Sequence, residues 1–207
     1  MNKPHRIFSA AGGYLHDVVR LARGIPLNPH SYLKYLTLRS LARRTGARTM
    51  VETGTFLGVT AARCAGTFER VVTIELDVDL ARRAAQFLAR YPNVKVLHGD
   101  AVALLPAVLS DDACADAVVF LDGHFSGGIT AHGSVPEPAI LELEILARHA
   151  DRICGIVIDD FRLFGHEPGF PKKSELILAI ERLFPSPRFD LKIHADQVII
   201  ERVRAAA

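Results

Sequence analysis

The chain has 207 residues, of which 49% are hydrophobic and 23% are charged, so it is long enough for one globular domain with a substantial core. Its formal net charge of +2 is too small to indicate a nucleic-acid partner, and no apolar run approaches the ~20 residues that a membrane-spanning helix needs. Three widely spaced cysteines without CxxC spacing argue against a disulfide framework or a zinc site and predict a cytoplasmic protein.

Residues 1–46 predict a helical extension that precedes the main domain. Apolar residues at helical spacing indicate a helix over residues 10–23, which Gly24 and Pro26 end. A second helix is predicted from Asn28, with Pro29 at its first helical position, to about Arg44. A cover for one edge of the sheet, a lid over a substrate and a contact in a homodimer are three alternatives that the sequence leaves open.

From residue 47 to residue 207, short apolar strands alternate with helical segments. The predicted strands are 49–52, 71–75, 94–97, 117–121 and 153–158, and the predicted helices are 59–67, 78–90, 101–109, 138–149 and 174–184. Nearly continuous apolar strands are typical of a parallel sheet that is covered on both faces. The alternation implies right-handed βαβ units and therefore an α/β doubly wound domain.

Two further strands are predicted at the end of the chain, over residues 189–194 and 197–203. The tight turn at Ala195 and Asp196 makes this pair antiparallel. The sequence therefore predicts a mostly parallel, seven-stranded sheet with one antiparallel C-terminal strand.

The first predicted strand runs into Glu52 and then into a turn that contains Gly54 and Gly58. Glycines let the backbone approach a ligand closely, and the start of the following helix offers free N–H groups. Phe56 stands where the dinucleotide fingerprint GxGxxG requires its second glycine. The turn therefore fits a nucleoside without a pyrophosphate better than a dinucleotide.

Each of the five parallel strands is predicted to bring an acid to its carboxyl end, where open α/β sheets bind ligands. These acids are Glu52, Glu75, Asp100, Asp122 and Asp159, the last followed by Asp160. Glu75 lies about 20 residues after Gly54, a separation at which an acid accepts hydrogen bonds from ribose hydroxyls. For Asp100, a helix cap and a contact with the amine of an adenine are both compatible with the sequence.

Four segments, VETGTFLG, VVTIELD, VLHGDA and VVFLDGH, resemble in this order the motif series of class I S-adenosylmethionine-dependent methyltransferases. The resemblance extends over about residues 47–203 and implies a Rossmann-like methyltransferase fold with S-adenosylmethionine as the methyl donor. It implies a methionine-binding turn, a ribose-binding acid and an adenine-binding pair. The cofactor-binding residues so implied are Glu52, Thr53, Gly54, Thr55, Gly58, Glu75, Asp100, Ala101 and Asp122.

The acceptor side is similar to metal-dependent small-molecule O-methyltransferases, including those that act on sugar hydroxyls of macrolides. The segment IVIDDF and the later Lys172-Lys173-Ser174 carry this similarity, which implies a Mg²⁺ site formed by Asp122, Asp159 and Asp160. The segment LDGHFSGG departs from that group after the aspartate, which leaves metal dependence open. His124 is the candidate general base, with Asp122 as the other candidate catalytic residue.

The sequence therefore predicts a methyltransferase that acts on a hydroxyl of a small molecule, such as a sugar or a polyketide. An NAD-type oxidoreductase is one alternative, against which Phe56 and the reversed strand argue. A cofactor-binding protein without catalysis is the other, against which the grouping of Asp122, His124, Asp159 and Asp160 argues.

Overall fold

A computed structural model describes residues 31–123 and 137–203, together with Leu15 and Val19. The helices are α1 (Ser31–Thr45), α2 (Val59–Cys64), α3 (Val78–Leu88), α4 (Ala101–Ser110), α5 (Ala139–Arg148) and α6 (Lys173–Leu183). The strands are β1 (Thr49–Thr53), β2 (Arg70–Glu75), β3 (Val94–His98), β4 (Ala117–Leu121), β5 (Ile153–Ile158), β6 (Phe189–His194) and β7 (Gln197–Arg202). Of the helix predicted over residues 10–23, only Leu15 and Val19 are described, both as helical, and the loop over residues 124–136 lies outside the described residues.

The seven strands form one sheet in the order β3-β2-β1-β4-β5-β7-β6. The pairs β1–β2, β2–β3, β1–β4 and β4–β5 are parallel, whereas β7 is antiparallel to both β5 and β6. The predicted α/β doubly wound architecture, with one reversed C-terminal strand, is therefore confirmed.

Alternate residues of the central strands face two separate cores, because side chains alternate along a strand. One core lies under α1, α2 and α3, and includes Leu38, Leu41, Ala61, Cys64, Ala84, Leu88, Met50, Val71, Val118, Phe120 and Val157. The other lies under α4, α5 and α6, and includes Leu105, Leu109, Leu143, Leu146, Leu176, Ile180, Val51, Ile74, Val119, Leu121 and Ile158. Helices on both faces explain why the strands read as unbroken apolar runs.

The helix boundaries follow local capping groups. The carboxylate of Asp77 accepts a hydrogen bond from Leu80 N at 2.8 Å at the start of α3. The helix predicted over residues 59–67 was too long, since α2 ends at Cys64. There the carbonyl of Cys64 accepts hydrogen bonds from the N–H groups of Thr67 (2.8 Å) and Phe68 (3.1 Å), which closes a turn, while the Phe68 side chain enters the core.

Helix α1 packs directly on the sheet, and its residues Leu38 and Leu41 are fully buried. It contacts β4, β5 and β7, inward of the edge strands β3 and β6, so the predicted cover of a sheet edge stays a prediction. A lid and a dimer contact stay predictions. Within the described ranges, no helix combines the length and the apolar character that a membrane span requires.

Candidate functional site

The predicted site residues meet where the strand order reverses, between β1 and β4. These neighbouring parallel strands connect onward in opposite directions across the sheet, which leaves a crevice at their carboxyl ends. The loops that follow β1 and β4 come close there, since Asp122 N donates a hydrogen bond to Thr53 O at 3.0 Å. The crevice is thus built from the first and fourth sequence motifs.

The loop between β1 and α2 adopts left-handed backbone at three alternate positions. Gly54 has φ 85°, Phe56 φ 49° and Gly58 φ 76°. The N–H groups of Gly54 and Thr55 donate to Ile74 O at 2.9 and 3.2 Å, which ties the loop to β2. Phe56 therefore departs from the dinucleotide fingerprint in its side chain, while its backbone takes a conformation that glycine adopts most readily.

Gly54 lies against the backbone of the β4 loop. A Cβ atom at this position would stand 2.5 Å from Asp122 O and 2.6 Å from Gly123 Cα. Such distances are far inside van der Waals contact, and the positive φ adds strain for any other residue. Only glycine allows the two loops to approach this closely.

Glu52 lies at the floor of the crevice and is 1% exposed. It is paired in register with Thr73 of β2, whose hydroxyl donates to Glu52 Oε2 at 2.6 Å. The hydroxyls of Thr73 and Thr55 are also 2.6 Å apart, so Thr55 belongs to the same chain of hydrogen bonds. Burial is the main cause that raises the pKa of Glu52 to about 8, against the opposing hydrogen bond from Thr73.

Among the described residues, the buried hydroxyl of Thr53 has no hydrogen-bond partner. A Cβ placed on Gly123 would stand 3.4 Å from this oxygen, so Thr53 lies beside the same loop contact. Buried polar groups are nearly always satisfied in native proteins, by protein, water or ligand. The hydroxyl is therefore available to hydrogen-bond a polar group at the floor of the crevice.

Glu75 ends β2 beside the glycine loop, as predicted. Its two carboxylate oxygens accept hydrogen bonds from Phe56 N (2.7 Å) and Asp77 N (3.0 Å). A carboxylate has about four lone-pair positions, so it can still accept hydrogen bonds from a ligand. These contacts fix the orientation of the carboxylate relative to the loop.

Asp100 is the N-cap of α4, because its Oδ1 accepts a hydrogen bond from Val102 N at 2.8 Å. The capping alternative is confirmed for this residue. Ala101 is the first residue of the same helix and is half-buried, at the carboxyl end of β3. The predicted adenine contact of Asp100 and Ala101 stays a prediction.

The three predicted metal ligands come together at the carboxyl ends of β4 and β5. One ligand oxygen from each of Asp122, Asp159 and Asp160 lies within 4.8 Å of the others. Asp159 is fully buried, and Gln197 Nε2 donates to its Oδ1 at 2.8 Å. Burial raises the pKa of Asp159 well above its usual value, and the neighbouring Asp122 adds to this, while Lys34 opposes it.

A lysine ammonium already occupies this cluster. Lys34 of α1 donates hydrogen bonds to both carboxylate oxygens of Asp122 at 2.8 Å, and its Nζ lies 2.7 Å from Asp159 Oδ2. Burial alone would lower the pKa of Lys34, but the carboxylates of Asp122, Asp159 and Asp160 outweigh it and raise this pKa.

Asp160 has a cationic partner of its own. Its backbone is left-handed, with φ 53°, and its Oδ1 lies 2.8 Å from Nη1 of Arg162. The same guanidinium also pairs with Asp196, in the turn between β6 and β7. Arg162 thereby joins the carboxyl end of β5 to the C-terminal hairpin.

His124, the candidate general base, lies outside the described residues, whereas Asp122 is half-buried at the start of that loop. Three polar partners of the site, Lys34, Thr73 and Gln197, were not predicted from the sequence. A signal for Lys34 existed, because it shares one helix face with Leu38 and Leu41, four and seven residues later. A lysine on a buried stripe requires an anionic partner.

The chain resembles O-methyltransferases of known structure in its fold. An O-methyltransferase from Bacillus cereus in complex with SAH has a TM-score of 0.61 at 19% identity, covering 90% of this chain and 87% of that chain. TomG from Streptomyces achromogenes, an O-methyltransferase of tomaymycin synthesis in complex with SAM, has a TM-score of 0.60 at 20% identity, covering 90% and 86%. SAH-bound methyltransferase PaMTH1 from Podospora anserina has a TM-score of 0.58 at 14% identity, covering 83% and 79%.

By sequence, no protein-family model and no curated protein matches the chain. At identities this low, the structural likeness establishes the fold. The Rossmann-like methyltransferase fold that the motif series implied is therefore confirmed.

Proposed function

We propose that this protein transfers a methyl group from S-adenosylmethionine to a hydroxyl oxygen of a small molecule. The observation that carries the proposal is the β1–α2 loop, which packs on the β4 loop through Gly54 and orients Glu75 through Phe56 N. This loop fits a nucleoside whose ribose faces a carboxylate and whose far end reaches a buried acid. The fold of the chain is also similar to that of proteins whose structures were solved with SAM or SAH.

The described residues fit this methyl donor. The unpaired Thr53 hydroxyl and the buried Glu52 are suited to the polar end of its methionine moiety, next to Gly54, Thr55 and Gly58. Glu75 accepts hydrogen bonds from the ribose hydroxyls, and Asp100 and Ala101 flank the adenine. We place Asp122 between the donor and the acceptor side, where the Lys34 ammonium balances its charge and fixes its position.

The donor supplies a methyl carbon bonded to a positively charged sulfur. The acceptor oxygen forms a bond to that carbon while the carbon–sulfur bond breaks. The electron pair of the carbon–sulfur bond goes to sulfur, which becomes neutral. The protein has to align the oxygen with the carbon–sulfur bond and to accept the hydroxyl proton. We assign the proton to His124, and we assign to Asp122, two residues earlier in the chain, the role of orienting the site.

The implied Mg²⁺ does not fit the site as it is arranged. The oxygens of Asp122 and Asp159 that would bind an ion already contact the Lys34 ammonium at 2.7–2.8 Å. An ion with Mg–O distances of about 2.1 Å would need the same space. We therefore derive no step through a metal ion.

A small acceptor with a sugar-like or polyketide-like hydroxyl is the substrate class that we propose. It rests on the resemblance of IVIDDF and on the involvement of TomG, a structural neighbour, in tomaymycin synthesis. The modest net charge of +2 argues against a polyanionic acceptor.

Ligand binding tests the donor site directly. We expect S-adenosylmethionine and S-adenosylhomocysteine to raise the melting temperature and to bind in calorimetry, and NAD to do neither. Glu75→Gln should weaken binding about 10- to 100-fold, because one charged hydrogen-bond acceptor is lost. Asp79→Asn is the matched control, since Asp79 lies in the first turn of α3 and is exposed.

A screen of hydroxylated acceptors with a labelled methyl donor then tests transfer. Stabilisation by NAD alone would contradict the proposal, and so would a Glu75→Gln variant that binds S-adenosylhomocysteine as tightly as the wild type. Binding without transfer to any acceptor would favour the non-catalytic alternative.

A further inference from the structure

Lys34 stands on the face of α1 that is turned to the sheet. Leu38 and Leu41 on the same face are fully buried, and the Lys34 side chain is only 15% exposed. A buried ammonium is costly unless anionic groups surround it. The position of the Lys34 ammonium therefore depends on the anionic groups that it contacts.

The ammonium is surrounded by carboxylate oxygens. It lies 2.8 Å from both oxygens of Asp122 and 2.7 Å from Asp159 Oδ2, and it lies 5.8 Å from the centre of the Phe120 ring. The contact with Asp159 is an ion pair, and Asp159 Oδ2 accepts no hydrogen bond from the described residues. The ammonium is the sole described cation at this fully buried oxygen.

Close packing of α1 on β5 brings Lys34 to Asp159. A Cβ on Gly155 of β5 would stand 2.8 Å from Leu41 Cδ2, so glycine lets α1 lie close on the strand. At the other end of the helix, Arg44 binds Glu201, which is paired in register with Gly155. Helix α1 therefore lies antiparallel to β5, with its first turns at the carboxyl end of the strand, and Lys34, two turns before Leu41, reaches Asp159.

We propose that Lys34 is the built-in cation of the Asp122–Asp159 site and that it excludes a divalent metal from it. A metal ion and this ammonium would share the same oxygens, so binding of one requires departure of the other. Asp160, the third candidate ligand, is paired with Arg162, whose guanidinium offsets part of the negative charge that an ion would need from it. Lys34 is a positioning residue, because it holds the two carboxylates at the edge of the crevice.

Exclusion of a metal ion bears on how the acceptor hydroxyl loses its proton, a consequence that rests on the proposed function. A divalent ion lowers the pKa of a hydroxyl that coordinates it, whereas an ammonium does so far more weakly. Deprotonation of the acceptor then depends on a side chain of the protein. Methyl transfer by the wild type should accordingly persist in a chelator.

Manganese binding tests the proposal independently of activity. Chelator-treated full-length protein is titrated with Mn²⁺, and free Mn²⁺ is followed by electron paramagnetic resonance. We expect the wild type and Lys34→Arg to leave Mn²⁺ free. We expect Lys34→Ala to bind Mn²⁺ stoichiometrically, about a hundredfold or more tighter than the wild type, because the competing cation is gone. Adding Asp159→Asn to Lys34→Ala should abolish that binding.

Two results would overturn the proposal. One is stoichiometric Mn²⁺ binding by the wild type that Asp159→Asn removes, and the other is a folded Lys34→Ala variant that does not bind Mn²⁺. If Lys34→Ala does not fold, the wild type and Asp159→Asn decide the question alone. Failure to find methyl transfer would count against the proposed function, but it would leave the Mn²⁺ readout intact.

Discussion

The Thr73 hydroxyl donates a hydrogen bond to Glu52 Oε2 at 2.6 Å, between register-paired residues of the neighbouring parallel strands β1 and β2. This contact holds a fully buried acid whose pKa burial raises from 4.5 to about 8. Near neutral pH in the absence of ligand, Glu52 is therefore mostly protonated. A neutral acid at the floor of the crevice can become a carboxylate when a cation binds beside it.

The first prediction concerns stability and pH. Because the folded state raises the pKa of Glu52, its contribution to stability is fully present below pH 4.5 and is lost as pH rises through about 8. A shift of this size corresponds to on the order of 4–5 kcal/mol in the free energy of unfolding. We expect Glu52→Gln to flatten this part of the pH dependence, measured by urea unfolding from about pH 5 to about pH 9.

The free energy of unfolding of the Glu52→Gln variant should still depend on pH to some extent, since burial also raises the pKa of Asp159. A variant with the same slope as the wild type would show that Glu52 is ionised in the folded protein.

The second prediction concerns proton release on binding the methyl donor. We place the ammonium of the methionine moiety beside Glu52, and a cation near Glu52 lowers its pKa, so binding near pH 7 should release a proton. S-adenosylhomocysteine carries the same ammonium and should release a proton too, whereas 5′-methylthioadenosine, which lacks the amino-acid end, is the matched control. Calorimetry in buffers of different ionisation enthalpy measures the protons released, and equal release with all three ligands would argue against an ammonium near Glu52.

The sequence predicted where these acids lie, because each is within two residues of the carboxyl end of a parallel strand. It could not predict their partners. Thr73 depends on the register between β1 and β2, and Lys34 depends on the path of α1 across β5, which Gly155 makes accessible. Both are relations between elements distant in the chain, and only one of them, Lys34 on an apolar helix face, left a signal in the sequence.

For the candidate metal ligands, the sequence predicted the acids but not the cations that balance their charge. Sequence placed Asp122, Asp159 and Asp160 together correctly, since their strands are neighbours in the sheet. The charge that balances them comes from residues outside those motifs, Lys34 and Arg162. An acid cluster read from strand ends alone therefore predicts a cation, without specifying whether it is an ion or a side chain.

The third prediction concerns the contact between the two loops. In Gly54→Ala, the added Cβ would overlap Asp122 O, at 2.5 Å, so the β1 and β4 loops must separate. We expect binding of S-adenosylhomocysteine to weaken by at least about tenfold and the free energy of unfolding to fall by about 1–3 kcal/mol. Calorimetry and urea unfolding measure the two effects.

Gly66→Ala provides the control for Gly54→Ala, because nothing lies within 4 Å of a Cβ at Gly66. Unchanged ligand affinity in Gly54→Ala would mean that the ligand does not use the crevice between these loops.

The last prediction measures the coupling between Lys34 and Asp159. Lys34→Met leaves the buried Asp159 and the half-buried Asp122 without their shared cation, and removal of one partner of a buried pair costs about 3–5 kcal/mol. Asp159→Asn in the Lys34→Met background removes one unbalanced charge, so the double variant should be more stable than Lys34→Met alone. Urea unfolding near pH 7 in a chelator gives all four free energies of the double-mutant cycle. The exposed pair Arg82–Asp79, with Nη2 2.9 Å from Oδ1, is the control and should show almost no coupling. Additive effects of Lys34→Met and Asp159→Asn would contradict the ion pair that the structure places between α1 and β5.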